Sequence, residues 1–352
     1  MNRAFAGLSA FPLTPFSGDR PDARAFAGLV ERLVTAGVDS VTALGSTGSY
    51  AYLDAAERAE IARLTVRHAD GTPVIVGIGA LRTSWVLEHA ARAEDAGAQG
   101  VLLAPMSYQP LTEDEVFELY RAVCERTGLP VVVYDNPGTT RFAFTPALYG
   151  RIAELPRITG IKIPGTALLE DPGGASDAAA GGDRNGIDGL DSTARLDSTA
   201  RLDSTARLDS TARLDSTARL DGAVARLRGI RAELPEAVAV GVSGDALAAT
   251  GLLAGCETWY SVIGGTLPRL ALRIARTAGS EDAEVTLAAS ETFEPLWALF
   301  AECGSLRVVA AIAERLDLVE GGCLPLPLRD IDAAQRERLD RFLSGIDPEL
   351  LR

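Results

Sequence analysis

Eight short apolar runs recur along the chain, separated by segments whose apolar residues repeat at helical spacing, and this alternation restricts the fold more than any other feature. The runs span residues 5–13, 40–44, 73–77, 100–103, 130–134, 158–163, 237–242 and 257–262. They are apolar almost without interruption, as strands covered on both faces must be. Helices are expected at 22–36, 54–69, 83–96, 112–126 and 145–155. Thr112 with Glu115 three residues on makes a capping box, and Asp54 and Thr145 stand where N-caps belong. Eight βα repeats predict an α/β fold of the TIM (β/α)8 barrel type, with a doubly wound open sheet as the alternative. Residues 266–343 carry more helix than a barrel requires, and the surplus reads as a C-terminal helical extension.

The alternation breaks once. Residues 171–189 are rich in Gly, Asp and Ala, and 191–220 are five consecutive copies of DSTARL. A six-residue period matches neither 3.6 nor 2, so its leucines spiral around a helix and make no stripe that could build a core. Each copy sets Asp and Arg four apart, which supports a solvated helix by only about 0.2–0.5 kcal/mol per pair. Solenoid repeats run to roughly 20–50 residues, so five hexamers read as a tandem duplication, expected to be disordered or a frayed helix. Removing residues 166–221 takes 56 from 352 and leaves 296, a size that suits a barrel with terminal helices. The expected organisation is a barrel from 1–165 and 222–280, an insert at 166–221 and a helical extension at 281–352. Loop closure entropy grows slowly with length, so the barrel can carry such an insert, which leaves the sixth strand on the face where barrel active sites lie.

Composition narrows the function. Thirty-four basic against 48 acidic residues give a net charge of −14, which disfavours nucleic acid and anionic membrane surfaces as partners. No apolar run approaches 18 residues and the first residues lack a signal-peptide pattern, so a cytoplasmic protein is expected. Cys124, Cys256, Cys303 and Cys323 lie 132, 47 and 20 apart, with no CxxC pair. His68 and His89 sit 21 apart without ligand-like carboxylates and read as surface or packing residues, so no metal is expected. Trp85, Trp259 and Trp297 read as core or interface.

One lysine stands among those 34 basic residues, and it falls inside an apolar run, Ile158-Thr159-Gly160-Ile161-Lys162-Ile163-Pro164. Lysine is almost never buried without a partner or a task. Desolvation lowers its pKa and leaves more free amine to attack carbonyls; the alternative is a side chain snorkelling from a strand end. Gly45-Ser46-Thr47-Gly48-Ser49 follows the second run with backbone N–H groups and hydroxyls able to hold an anion, or it is a glycine turn with capping hydroxyls. Tyr134-Asp135-Asn136-Pro137-Gly138 closes the fifth run, and Tyr134 is either an acid/base or a packing residue. Together the three strand ends bring a nucleophile, an acid/base and an anion holder to one end of a barrel.

These residues resemble the dihydrodipicolinate synthase and N-acetylneuraminate lyase family, the pyruvate-dependent class I aldolases. The similar stretches are Thr14-Pro15-Phe16, Gly45-Ser46-Thr47-Gly48, Pro105-Met106-Ser107-Tyr108-Gln109-Pro110, Tyr134-Asp135-Asn136-Pro137-Gly138, Gly160-Ile161-Lys162, Ser243-Gly244-Asp245 and Ser261-Val262-Ile263-Gly264-Gly265, in family order and on both sides of the insert. The resemblance implies a TIM barrel, a homotetramer or dimer, no cofactor, pyruvate and an aldehyde as substrates, Lys162 as the Schiff-base lysine and Tyr134 as the proton shuttle. It implies that Ser46 and Thr47, between Gly45 and Gly48, bind the keto acid's carboxylate, with Thr47 also in the relay. Tyr108, Arg141 and Ile263 complete the implied substrate-binding set.

Three departures bear on the second substrate. The family's glycine loop commonly ends in glutamate, where Ser49 stands here. The biosynthetic synthases take a relay tyrosine from a neighbouring subunit at the position of Ser107, and Tyr108 comes one place later. They also carry an arginine where Thr139 stands, with Arg141 two residues on. Dihydrodipicolinate synthesis therefore competes with cleavage or dehydration of 2-keto-3-deoxy sugar acids or an N-acetylneuraminate-type substrate. A catalytically silent binding module is the reading from a different class.

Overall fold

In a computed structural model, which describes residues 5–169, 216–280 and 283–352, all eight apolar runs form parallel strands. They are β1 (Gly7–Ala10), β2 (Ser40–Ala43), β3 (Val74–Gly77), β4 (Gly100–Leu103), β5 (Val131–Tyr134), β6 (Ile158–Pro164), β7 (Ala239–Ser243) and β8 (Thr258–Ser261). Each pairs with its sequence neighbours, and β1 pairs with both β2 and β8, so the sheet closes into a TIM barrel. The doubly wound alternative is thereby excluded, because an open sheet keeps two edges.

Side chains alternate between the two faces of each strand. Phe5, Phe11, Ile75, Leu102, Ala104, Val132, Tyr134, Ala239 and Tyr260 form the inner cluster, while neighbours such as Val74, Val76, Val101, Val131 and Val133 pack outward under the helices. The covering helices are α1 (Ala23–Ala36), α2 (Ala55–His68), α3 (Thr83–Ala96), α4 (Glu113–Cys124), α5 (Pro146–Ala153), α6 (Ser216–Ala232), α7 (Ala248–Ala254) and α8 (Pro268–Ser280). Thr112 and Glu115 form the expected capping box, Asp54 forms another with Glu57, and Thr145 accepts from the Leu148 N–H. Arg58, buried under α2, donates to Gly77 O and Gly79 O at 2.9 Å each and so ties that helix to the end of β3.

Helix α6 begins inside the fifth DSTARL copy, so the last six residues of the expected insert belong to it. Ala223, Leu227 and Ile230 recur at helical spacing on its buried side, and Arg226 donates to Leu168 O at 3.1 Å. That anchorage nucleates a helix which the last repeat extends. Residues 170–215, with the other four copies, lie outside the described residues.

The extension consists of α9 (Ala283–Glu291), α10 (Glu294–Cys303), α11 (Ser305–Arg315), α12 (Ala333–Ser344) and a final turn at Pro348–Leu351. Phe293, Trp297, Phe300 and Phe342 pack ring to ring within it, and Ala310, Ala313, Cys323 and Leu324 pack against Leu13 and Leu29 of the barrel. Trp259 and Trp297 are core residues, whereas Trp85 is 44% exposed. All four cysteines are free. No described helix is by itself long and apolar enough to cross a membrane.

Candidate active site

Lys162 occupies β6 in register with Tyr134 of β5 and Gly241 of β7, and only 5% of it is exposed. The snorkelling alternative is excluded by that burial. Its Nζ lies 3.6 Å from the centroid of the Tyr134 ring and 5.1 Å from that of Phe11. Burial in this aromatic cleft pulls the ammonium pKa below the ordinary lysine value, while Tyr134 and the carboxylates of Asp245 and Asp135 oppose the shift. Gly241 clears the space beside it: a Cβ there would meet the Tyr260 ring at 2.4 Å.

The glycine loop turns back over the barrel mouth because two residues that are not glycine adopt the left-handed conformation, Leu44 at φ +58° and Ser49 at φ +52°. Each costs about 1–2 kcal/mol, strain of the kind that collects at functional sites. A Cβ on Gly45 would lie 2.6 Å from the Phe11 ring, and one on Gly48 would lie 3.0 Å from Leu44 N. The turn brings Ser46 Oγ to 3.1 Å from Tyr134 Oη. Asn136 completes the group, its amide nitrogen 2.9 Å from Tyr134 Oη and 3.2 Å from Ser46 Oγ. Thr47 is buried next door, yet its hydroxyl makes no hydrogen bond among the described residues. Of the two hydroxyls in the loop, it is Ser46 that bonds to Tyr134 among the described residues.

Asp245 holds the far side of the mouth. Its buried carboxylate accepts from Trp259 Nε1 and Ser261 Oγ at 2.9 Å each, Val262 N at 3.2 Å and Ile263 N at 3.1 Å, which clamps the end of β8 to the end of β7. Burial pushes its pKa up to about 6 against the pull of those donors. Ile263 is fully buried at the rim, and its N–H is spent on Asp245. Arg141 is exposed at φ +56°, directly after the one-turn helix Pro137–Thr140, with no ion pair among the described residues. Tyr108 is 88% exposed on the loop after β4.

Sequence reasoning did not single out Phe11, Asn136 or Asp245 as site residues. The last two lay inside quoted motifs, and an acidic residue following an apolar strand was a signal for a buried clamp. Nothing in the sequence marked Phe11.

Comparison with known proteins agrees with this arrangement. The model of the dihydrodipicolinate synthetase family matches residues 4–168. A 4-hydroxy-tetrahydrodipicolinate synthase from Methylococcus capsulatus is 30% identical over 327 residues, covering 92% of each chain. The crystal structure of dihydrodipicolinate synthase from Agrobacterium tumefaciens is similar with a TM-score of 0.78 at 36% identity, over 99% of both chains. The dihydrodipicolinate synthase of Acinetobacter baumannii complexed with pyruvate shares the fold, with a TM-score of 0.74 at 22% identity over 97% of this chain and 98% of that one. A barrel closed around a buried lysine, and relatives matched over nearly their whole length, carry the same conclusion: the chain belongs to the dihydrodipicolinate synthetase family of pyruvate-dependent class I lyases.

Proposed function

We propose that Lys162 forms a Schiff base with pyruvate and that the resulting enamine is joined to, or released from, an aldehyde. The observation that carries this reading is a desolvated amine packed against a tyrosine whose hydroxyl is bonded to the anion-holding loop. The free amine of Lys162 attacks the C2 ketone of pyruvate, and loss of water leaves an iminium. Ser46 and Thr47, with the backbone N–H groups of the Gly45–Gly48 loop, hold the carboxylate beside it. Tyr134 carries protons in and out. Removal of a C3 proton neutralises the iminium as an enamine, whose C3 bonds to the aldehyde carbon, and hydrolysis returns Lys162. Run backwards, the same steps cleave a longer 2-keto acid.

For the second substrate, 4-hydroxy-tetrahydrodipicolinate synthesis is the leading reading. Arg141, exposed at the mouth without an ion pair among the described residues, suits an aldehyde that carries a carboxylate. Thr139, also exposed, favours the second reading, a hydroxylated 2-keto-3-deoxy sugar acid that is cleaved or dehydrated. The apolar side chains exposed on the loops after β2, β3 and β4 and at the start of α3 support a homo-oligomer: Tyr52 is 46% exposed, Leu81 58%, Trp85 44% and Tyr108 88%. A second copy covering that edge would bring Tyr108 toward a neighbouring mouth. The four free cysteines suit a reducing, cytoplasmic compartment.

Borohydride reduction in the presence of pyruvate, followed by intact mass and peptide mapping, tests the reading directly because the chain has one lysine. A reduced pyruvyl adduct at Lys162 is the expected result. Absence of the adduct in the folded protein removes the aldolase reading and leaves the silent binding module. Screening acidic and polyhydroxylated aldehydes then separates the two substrate classes.

A further inference from the structure

We propose that Asn136 is a positioning residue for proton transfer at Tyr134, fixing the hydrogen-bond directions of the Ser46–Tyr134 pair so that one hydroxyl proton always faces the keto acid. The inference rests on the pyruvate reading above.

Asn136 stands at the N-cap of the one-turn helix Pro137–Thr140, a place where asparagine side chains ordinarily accept a backbone N–H. Its side chain makes no capping bond. The turn is held instead by the Asn136 carbonyl, which accepts from the N–H groups of Thr139 and Thr140 and from Thr140 Oγ1, at 3.0 Å each. The amide is thereby free for the barrel mouth, where Ser46 Oγ, Tyr134 Oη and Asn136 Nδ2 form a closed triangle with sides of 3.1, 2.9 and 3.2 Å.

Counting protons in that triangle gives the consequence. The amide nitrogen has two hydrogens and no acceptor, so one goes to each oxygen. The two hydroxyls have one proton each, and one of these is spent between them. The other has no acceptor within the triangle, and the side facing Asn136 is already occupied by N–H donors. It therefore points away from Asn136 and is left for a group outside the triangle. Reversing the Ser46–Tyr134 bond moves that free proton from one oxygen to the other without moving a heavy atom. A donor at position 136 so turns two neighbouring hydroxyls into a proton relay completed within one chain.

The experiment reads proton transfer apart from Schiff-base formation and needs no aldehyde. With pyruvate in D2O, each enamine cycle breaks a C3–H bond, places its electron pair in the C2=C3 bond and returns a deuteron, so loss of the methyl proton signal measures the relay. Borohydride trapping at saturating pyruvate measures occupancy of Lys162 in the same sample. Asn136→Leu keeps the size and removes both donors, and Asn136→Asp keeps the shape and replaces the donor by an acceptor. Both variants should exchange about 10- to 100-fold more slowly than the parent, while the extent of trapping stays within about twofold. Exchange at the parental rate in either variant overturns the donor role, and so does loss of trapping together with exchange, which would make Asn136 a support of the lysine cleft. Absence of trapping in the parent defeats the pyruvate reading itself, and this one with it.

Discussion

Adding one methyl group at Gly45 tests whether the glycine loop is shaped by the aromatic lid over Lys162. An alanine Cβ at this position would lie 2.6 Å from Phe11 Cδ1 and 2.7 Å from Cε1, whereas ordinary contact begins at 3.4 Å, so ring or loop must yield by 3.4 − 2.6 = 0.8 Å. Phe11 has little room to yield: it is 3% exposed, and its ring meets Tyr260 edge to face at 6.0 Å. Overpacking of this kind costs about 1–3 kcal/mol. At roughly 2 °C of unfolding midpoint per kcal/mol for a chain of this size, Gly45→Ala should melt about 2–6 °C below the parent. The displaced ring also sits 5.1 Å from Lys162 Nζ, and a misplacement near 1 Å at a reacting centre can cost about 100-fold, so the rate of borohydride trapping should fall by about 10- to 100-fold. A double-mutant cycle isolates the cause. Phe11→Leu alone leaves a smaller side chain and costs about 1–2 kcal/mol, but it clears the space the new methyl needs. The pair should therefore be more stable than the sum of its parts by about 1–2 kcal/mol. Strict additivity in thermal unfolding would refute the reasoning, because it would mean that the loop, and not Phe11, absorbs the methyl.

Two further outcomes follow from strain and charge. Ser49 combines a left-handed backbone, φ +52°, with a buried hydroxyl that has no hydrogen-bond partner among the described residues, so Ser49→Gly should raise stability by about 1 kcal/mol after the entropy of glycine is subtracted, read as a higher urea midpoint; a lower midpoint sinks the strain argument. His89 is held down to about 4, first by burial and then by the Arg58 guanidinium. Its folded value lies below its unfolded one, so the unfolded chain takes up the proton first, and the stability present above pH 6.5 is lost as the pH falls from 6.5 toward 4. His89→Gln should flatten that loss in thermal melts between pH 7 and 5, and parallel curves for variant and parent would exclude His89 as its source.

The limits of the sequence have physical causes visible at particular residues. Strands of a parallel barrel are buried on both faces, so their apolar runs stand out; the first run was read as 5–13 although only Gly7–Ala10 pairs, because Phe5, Phe11 and Leu13 are apolar for another reason, packing into the barrel interior or against the extension. Lys162 and Tyr134 were legible because burying a lone lysine in an apolar strand is costly enough to require a cause, and parallel register places its neighbour. The choice between Ser46 and Thr47 was not legible. It accompanies a left-handed Leu44, a conformation that a leucine does not announce as a glycine or asparagine would. The same holds for Asn136, whose type predicts a helix cap; its use on Tyr134 follows only once the Leu44 turn has delivered Ser46 to the opposite side of the mouth. The arrangement of this site is thus set by two local conformations, at Leu44 and at Asn136, that neither hydrophobic period nor motif spacing encodes.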